Sequence, residues 1–286
     1  MGNSRRRIEE ILKGSIDMHM HAGPDPRAER RVDALQAAQM ASEAGMRAIV
    51  LKSHEYPTAP LARIVGKSVP DLRVFGSISL DFEVGGLNTH ALKASAKMGA
   101  KVLWMPTLCS DHDMKRRTPP ERGIRICDAQ GILLPVVDEI LDIVRTFGMV
   151  LATGHVSPGE AFALLDKAKQ KGIWKTVATH PLLESIGCHL TIEEQVQVAE
   201  KGVFIEHCFA DTMPLLGRLD PMKIVEAVKT VGAERCIMST DLGQIYNPAP
   251  AEGMRMAIGT MIACGLSERE VELMVKVNPA RLLDLD

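Results

Sequence analysis

Aromatic side chains are scarce in this sequence, with six Phe, two Trp and two Tyr among 286 residues. Positive charge is not in excess either, since 34 basic side chains stand against 36 acidic ones. A surface that tracks phosphates and stacks bases needs both, so nucleic acid is not an expected partner. Long apolar runs are also missing: none approaches the roughly 18 residues of a membrane helix, and no membrane role is expected. The charged start has no apolar stretch behind it, and Arg6 stands where a myristoylation signal wants Ser or Thr, so no targeting segment is expected. Cysteine appears singly, at Cys109, Cys127, Cys188, Cys208, Cys236 and Cys264, never as a CxxC pair. In a chain long enough to need no staples, this reads as reduced thiols in a cytoplasmic protein.

What is present is an ordinary globular mixture, 46% hydrophobic and 24% charged. Short apolar runs recur, each followed by a segment with helical periodicity, which is the grammar of βα units and a parallel sheet. The spacing predicts eight strands, roughly Ser15 to His21, Arg47 to His54, Leu72 to Asp81, Ala100 to Pro106, Met149 to His155, Trp174 to His180, Gly202 to His207 and Arg235 to Asp241. Helices are predicted at Asp33 to Ala44, Pro158 to Lys171, Thr191 to Lys201 and Pro221 to Val231, each ending at a glycine suited to a left-handed cap. Thr191 with Glu194 forms a capping box. Eight units without a break in composition favour a single (β/α)8 TIM-barrel domain over residues 1–286, rather than an open doubly wound sheet.

One interval is wider than the rest. Residues 107–148 carry Lys115, Arg116, Arg117, Arg122 and Arg125, then a short extended element near Ile124 to Leu134 and a helix toward Phe147. Such an insertion over a barrel mouth reads either as a solvated loop or as a lid whose arginines meet an anionic substrate.

The ends of several strands carry residues that bind metal or move protons, and strand ends are where barrels keep their chemistry. The first strand closes on Asp17-Met18-His19-Met20-His21, whose two histidines, two apart, share one face. The fifth closes on His155, the sixth on His180 and the eighth on Ser239-Thr240-Asp241. Four imidazoles and a carboxylate are a ligand set for zinc or a neighbouring divalent ion such as Mn, Fe, Ni or Co, with one or two ions held.

Together with Asn278-Pro279-Ala280-Arg281-Leu282-Leu283 near the end, this pattern resembles the amidohydrolase superfamily of metal-dependent hydrolases. The resemblance runs the length of the chain. It implies a distorted TIM barrel in which a metal-activated water attacks an amide, ester, lactone or phosphoester. It also implies that His19, His21, His155 and His180 are ligands, and that Asp241 binds metal and shuttles the proton. Strand four departs from the pattern, ending Leu103-Trp104-Met105-Pro106-Thr107 where a bridging Lys or Glu is usual. The nearest substitute is Lys52 on strand two, with His54 on the same face. Lys52 reads as a carboxylated bridge, as a cation holding a substrate carboxylate or phosphate, or as an ion-paired side chain. The β-sandwich common in the superfamily is not expected, because His19 comes too early to leave room for it.

Further candidates line the mouth. Glu206 and His207 are adjacent and point to opposite faces, so at most one enters the barrel; His207 is the one considered for polarising the substrate with Lys52, against a structural role. Asp25, Arg27, His54, Asp81 and Gln244 are candidate substrate contacts, and Arg27 resembles the carboxylate-binding arginine of dihydroorotase-like members. Cys208 reads as a packed thiol. The expected function is hydrolysis of a small, anionic substrate with Asp241 as general base and acid. A metal-dependent decarboxylase or hydratase, or a ligand-binding barrel without turnover, are the alternatives. Oligomeric state is open, a homo-oligomer being among the partners considered.

Overall fold

The computed structural model describes residues 2–285; Met1 and Asp286, the two ends of the single-domain reading, lie outside the described residues. Eight strands form one parallel sheet in sequential order: β1 (Ile16–His21), β2 (Ala48–Lys52), β3 (Arg73–Ser79), β4 (Ala100–Trp104), β5 (Val150–Ala152), β6 (Thr176–Ala178), β7 (Phe204–Cys208) and β8 (Cys236–Ser239). The sheet closes where β8 runs on past its last residue. There the Asp241 N–H donates to the His19 carbonyl at 2.7 Å and the His21 N–H to the Leu242 carbonyl at 2.8 Å. The architecture is a (β/α)8 barrel, and its closing seam is built from predicted site residues.

Alternation along the strands sorts side chains into two cores. Ala48 and Val50 of β2, Phe75 of β3, Trp104 of β4 and Phe204 of β7 fill the barrel interior. Ile49 and Leu51 of β2 and Ile205 of β7 face the other way and pack in a larger cluster that takes in the helices. Burial on both faces is why these strands read as continuous apolar runs. The outer helices follow the expected bounds closely. Ala34–Glu43 is capped by an Asp33–Gln36 box and Ile192–Glu200 by the Thr191–Glu194 box, while Gly45, Gly172, Gly202 and Gly232 supply the positive φ just beyond helix ends. Among the described residues no helix is long and apolar enough to cross a membrane.

Two departures from regular geometry shape the mouth. In β1, the four residues Asp17 to Met20 span the three from Ile49 to Leu51 in β2, a bulge that resets the alternation. It keeps His19 and His21 on one face while Asp17 turns to the seam, accepting from the Thr240 N–H at 3.0 Å. The second departure is that β5, β6 and β8 stop short of the predicted His155, His180 and Asp241. Positive φ at Gly154, His180 and Asp241, of 62°, 23° and 51°, ends the extended conformation there. Left-handed backbone at His180 and Asp241 is strained for side-chain-bearing residues, and such strain concentrates at working sites.

The insertion after β4 is compact rather than lid-like. It holds a short helix, Asp111–Met114, bridges joining Ser110 to Ile124 and Cys127 to Leu133, and the helix Pro135–Phe147. Its cations pair close to home: Lys115 with Asp111 at 2.7 Å, Arg116 with Asp113 at 3.6 Å, and Arg117 with Glu121 at 3.2 Å.

Candidate active site

The two β1 histidines meet the β8 carboxylate. Nε2 of His19 and Nε2 of His21 each lie 3.0 Å from Oδ1 of Asp241. Opposite them, Nε2 of His155 and Nε2 of His180 approach to 3.1 Å. Four imidazoles therefore present the same nitrogen to one small space at the C-terminal ends of the strands. Lys52 Nζ is 2.9 Å from His19 Nε2 and 5.0 Å from the centre of the Trp104 ring. Trp104 is thus the floor on which Lys52 and His19 rest, its ring centre 5.1 Å from that of His19. The structure brings together His19, His21, Lys52, His155, His180 and Asp241.

The outer nitrogens of two of these rings are held by carboxylates. Glu206 Oε2 lies 3.2 Å from His19 Nδ1 while its other oxygen accepts from Ser239 Oγ at 2.8 Å. Asp113 Oδ2 lies 2.6 Å from His155 Nδ1. A carboxylate behind an imidazole fixes the ring's orientation and raises its basicity as a ligand. Among the described residues, Nδ1 of His21 and of His180 are buried without a partner. His54 stacks on His21 with ring centres 5.0 Å apart, and its Nδ1 lies 2.6 Å from Thr107 Oγ1.

Electrostatics agree with a ligand role. Burial pushes His54, His155 and His180 well below the ordinary histidine pKa, and His21 down to about 4, so these rings are neutral, as ligation requires. For His19 burial acts the same way and is the largest influence, but the carboxylates of Asp241 and Glu206 together outweigh it and the pKa is raised. Burial opposes charge on Asp241 too, yet His19 and His21 hold it well below the usual carboxylate range. Burial lowers the Lys52 pKa. Three neutral imidazoles and His19, all presenting Nε2 beside an ionised carboxylate, are the donor set a borderline divalent cation takes, so the residues fit a metal. Cys208 Sγ also lies near, with donor atoms of His19, Cys208 and Asp241 within 4.8 Å of one another. It approaches His19 at Nδ1, 3.7 Å away, on the side Glu206 occupies rather than the side of the converging nitrogens.

A cavity of about 260 Å³ opens above this cluster, lined by His21, Lys52, His54, His155 and Asp241 at its base. Leu108, Leu183, Ile186 and Leu216 form its apolar wall, and Arg27 and Gln244 also line it. Gln244 donates from Nε2 to the Asp241 carbonyl at 2.9 Å, bracing the loop that carries the carboxylate. Other candidates fall elsewhere. Asp25 is locked to Arg30, accepting from Nε at 2.9 Å and Nη2 at 2.7 Å. Asp81 is spent on the backbone of Thr107 and Cys109. Among the cavity-lining residues none of the insertion's arginines occurs.

The expectation for His207 needs correcting. Of the adjacent pair, Glu206 enters and His207 faces out with Ile205, because Phe204 and Cys208 fix the inward phase of β7. No charged neighbour contributes to the His207 pKa, which burial alone pushes down to about 4. The adjacency of the pair leaves His207 open between a substrate contact and a structural histidine, and the inward Phe204 is the signal in the sequence that favours Glu206. Asp113 was missed outright, lying 42 residues from its partner in an irregular insertion.

Comparison with known proteins places this geometry in context. The model of a family of unknown function, DUF6282, matches residues 14–206. No curated protein matches the chain in sequence. Among solved structures, the probable dipeptidase PvdM from Pseudomonas aeruginosa is similar at 12% identity with a TM-score of 0.70, covering 99% of this chain and 98% of that one. An amidohydrolase from Pseudomonas aeruginosa is similar at 13% identity and a TM-score of 0.63, with 98% of each chain covered. A 2,6-dihydroxybenzoate decarboxylase is similar at 10% identity and a TM-score of 0.57, covering 96% of this chain and all of that one, 100%. The fold is therefore that of amidohydrolase-type barrels, as the sequence motifs imply.

Proposed function

The chain belongs to this family of unknown function, DUF6282, and we propose that it is a metal-dependent hydrolase of the amidohydrolase type acting on an amide, lactone, ester or phosphoester of a small substrate. One observation carries the reading: the Nε2 atoms of His19 and His21 meet Oδ1 of Asp241, those of His155 and His180 meet each other, and His21, His155 and Asp241 of this set line one cavity. His19, His21 and Asp241 would hold one divalent ion, and His155 with His180 a second, zinc being the first choice for a nitrogen-rich set. A bound divalent ion lowers the pKa of water toward neutrality and polarises a carbonyl or phosphoryl oxygen.

The chain's own groups do the rest. Asp241, ionised and hydrogen-bonded to two imidazoles, accepts the proton of the attacking water. Lys52, buried and depressed in pKa, joins the two halves of the ligand set as a carboxylated amine, since an ammonium ion 2.9 Å from a ligand nitrogen would repel a dication. Glu206 and Asp113 keep His19 and His155 aimed. The leucine and isoleucine wall excludes water, and Arg27 receives an anionic end of the substrate at the rim.

The test is turnover by protein loaded with Zn, Mn or Co against dipeptides, N-acyl amino acids, lactones, phosphotriesters and hydroxybenzoates, with wild type beside Asp241→Asn. Hydrolysis lost by about 10²–10⁴-fold in the variant, with metal retained, supports the reading. Release of carbon dioxide instead of hydrolysis would move the protein to the decarboxylases; undiminished hydrolysis in Asp241→Asn would remove Asp241 as the base.

A further inference from the structure

Among the described residues the buried carboxyls have partners, with one exception. Asp17 is held by Thr240, Asp81 by Thr107, Asp113 by His155, and Glu206 by His19 and Ser239; Asp111 and Glu160 are held likewise. Asp211 is 3% exposed, and among the described residues its carboxyl has neither a hydrogen bond nor an ion pair; its oxygens are not among the fully buried atoms left without a partner, so they open onto space rather than onto protein. It lines the same cavity as Asp241.

Its placement is deliberate. Asp211 follows β7 in a single turn of 3-10 helix, Phe209–Thr212. The Ala210 N–H donates to the Thr240 carbonyl at 2.9 Å, so Asp211 and Asp241 each come immediately after one end of a bond joining the β7 and β8 extensions. The loop then folds back, the Leu219 N–H donating to the Asp211 carbonyl at 2.9 Å. Gly217 packs so closely there that a Cβ would come within 2.3 Å of that oxygen. The backbone is pinned from two sides while the carboxyl is left without a protein partner and open to whatever occupies the cavity.

Resting on the hydrolase reading above, we propose that Asp211 is the proton donor to the leaving group, taking the acid role expected of Asp241, which keeps the role of base. Water adds its oxygen to the electrophilic centre and gives a proton to Asp241. The bond from that centre to the leaving atom breaks, its electron pair stays on the leaving atom, and Asp211 supplies the proton that atom needs. The proton on Asp241 then returns through solvent to Asp211, restoring both groups. Burial pushes the Asp211 carboxyl well above the usual range, with the charges of Asp241 and Glu206 acting in the same direction, whereas Asp241 is held well below it. Two carboxyls of one cavity driven apart in this way divide into acid and base.

The experiment has two arms on the full-length protein and its near-isosteric Asp211→Asn variant. In the first, kcat/KM is measured for esters of one acid whose leaving groups run from p-nitrophenol to methanol. The expected loss is about a hundredfold on the methyl ester and much smaller on the p-nitrophenyl ester, which departs without a proton; an equal loss across the series overturns the proposal. In the second, Asp211→Asn should raise Tm by roughly 2–4 °C near neutral pH, with the gain growing as pH rises, because an unpaired carboxyl kept for function weakens the fold. A lowered or unchanged Tm means a structural role and overturns the proposal even where no ester is turned over, whereas inactivity of wild type with a raised Tm in the variant counts against the hydrolase reading alone.

Discussion

The carboxylate of Asp113 reaches from the insertion after β4 to within 2.6 Å of Nδ1 of His155. With that nitrogen engaged, the ring presents Nε2 to the centre, so a residue remote in sequence sets the ligand's tautomer and aim. Asp113→Ala is expected to weaken metal binding by about 10–100-fold without unfolding the protein. Chelator competition on folded variant protein, checked by circular dichroism, measures this; wild-type affinity would separate the insertion from the centre.

Lys52 sits where the two halves of the ligand set meet, 2.9 Å from His19 Nε2 over the Trp104 ring. As the bridge between two ions, its loss should cost one of them: metal content is expected to fall from two equivalents to one in Lys52→Ala. Mass spectrometry of metal and of intact protein checks both the stoichiometry and the added mass of carboxylation. Equal metal content in both proteins would leave Lys52 as a substrate-binding cation.

Much of this was legible in the sequence because periodicity of two and strand-end chemistry are local signals. The spacing of His19 and His21 puts them on one face in a strand, and the bulge between Asp17 and Met20 changes the phase of Asp17, not of the pair. All eight strands were placed for the same reason. What was illegible depends on contacts between distant segments. Nothing near Asp113 marks it as the partner of His155, and Asp25 looks like a mouth residue until Arg30 is seen folded onto it. The overreach of the fifth, sixth and eighth strands has a local cause: a left-handed residue ends a strand without altering its composition.

His207 provides a pH test of its outward placement. Burial lowers its folded pKa to about 4 from the ordinary 6.5. Below 6.5 the unfolded chain takes up a proton that the folded one refuses, so stability present above that pH is lost as pH falls toward 4, by roughly 3 kcal/mol at most. His207→Gln should flatten this part of the Tm–pH curve and leave metal binding intact. A variant that kept the wild-type acid limb, or lost its metal, would return His207 to the site.

Asp25 and Arg27 stand two apart beside the same mouth, yet they should answer to different measurements. Asp25 and Arg30 have side chains 1% and 7% exposed, and Arg30 donates twice to one carboxylate oxygen, Oδ2, so Asp25→Ala strands a buried guanidinium. That loss is expected to cost about 3–5 kcal/mol of stability. Arg27 is 42% exposed and its contact with Glu55 is long, at 3.4 Å, so its removal should cost stability little. If the guanidinium at the rim receives a carboxylate or phosphate, Arg27→Ala raises KM for an anionic substrate and leaves kcat and KM for a neutral one unchanged. Denaturant titration of Asp25→Ala and paired kinetics of Arg27→Ala separate the two roles; a KM indifferent to substrate charge would place anion recognition elsewhere in the cavity.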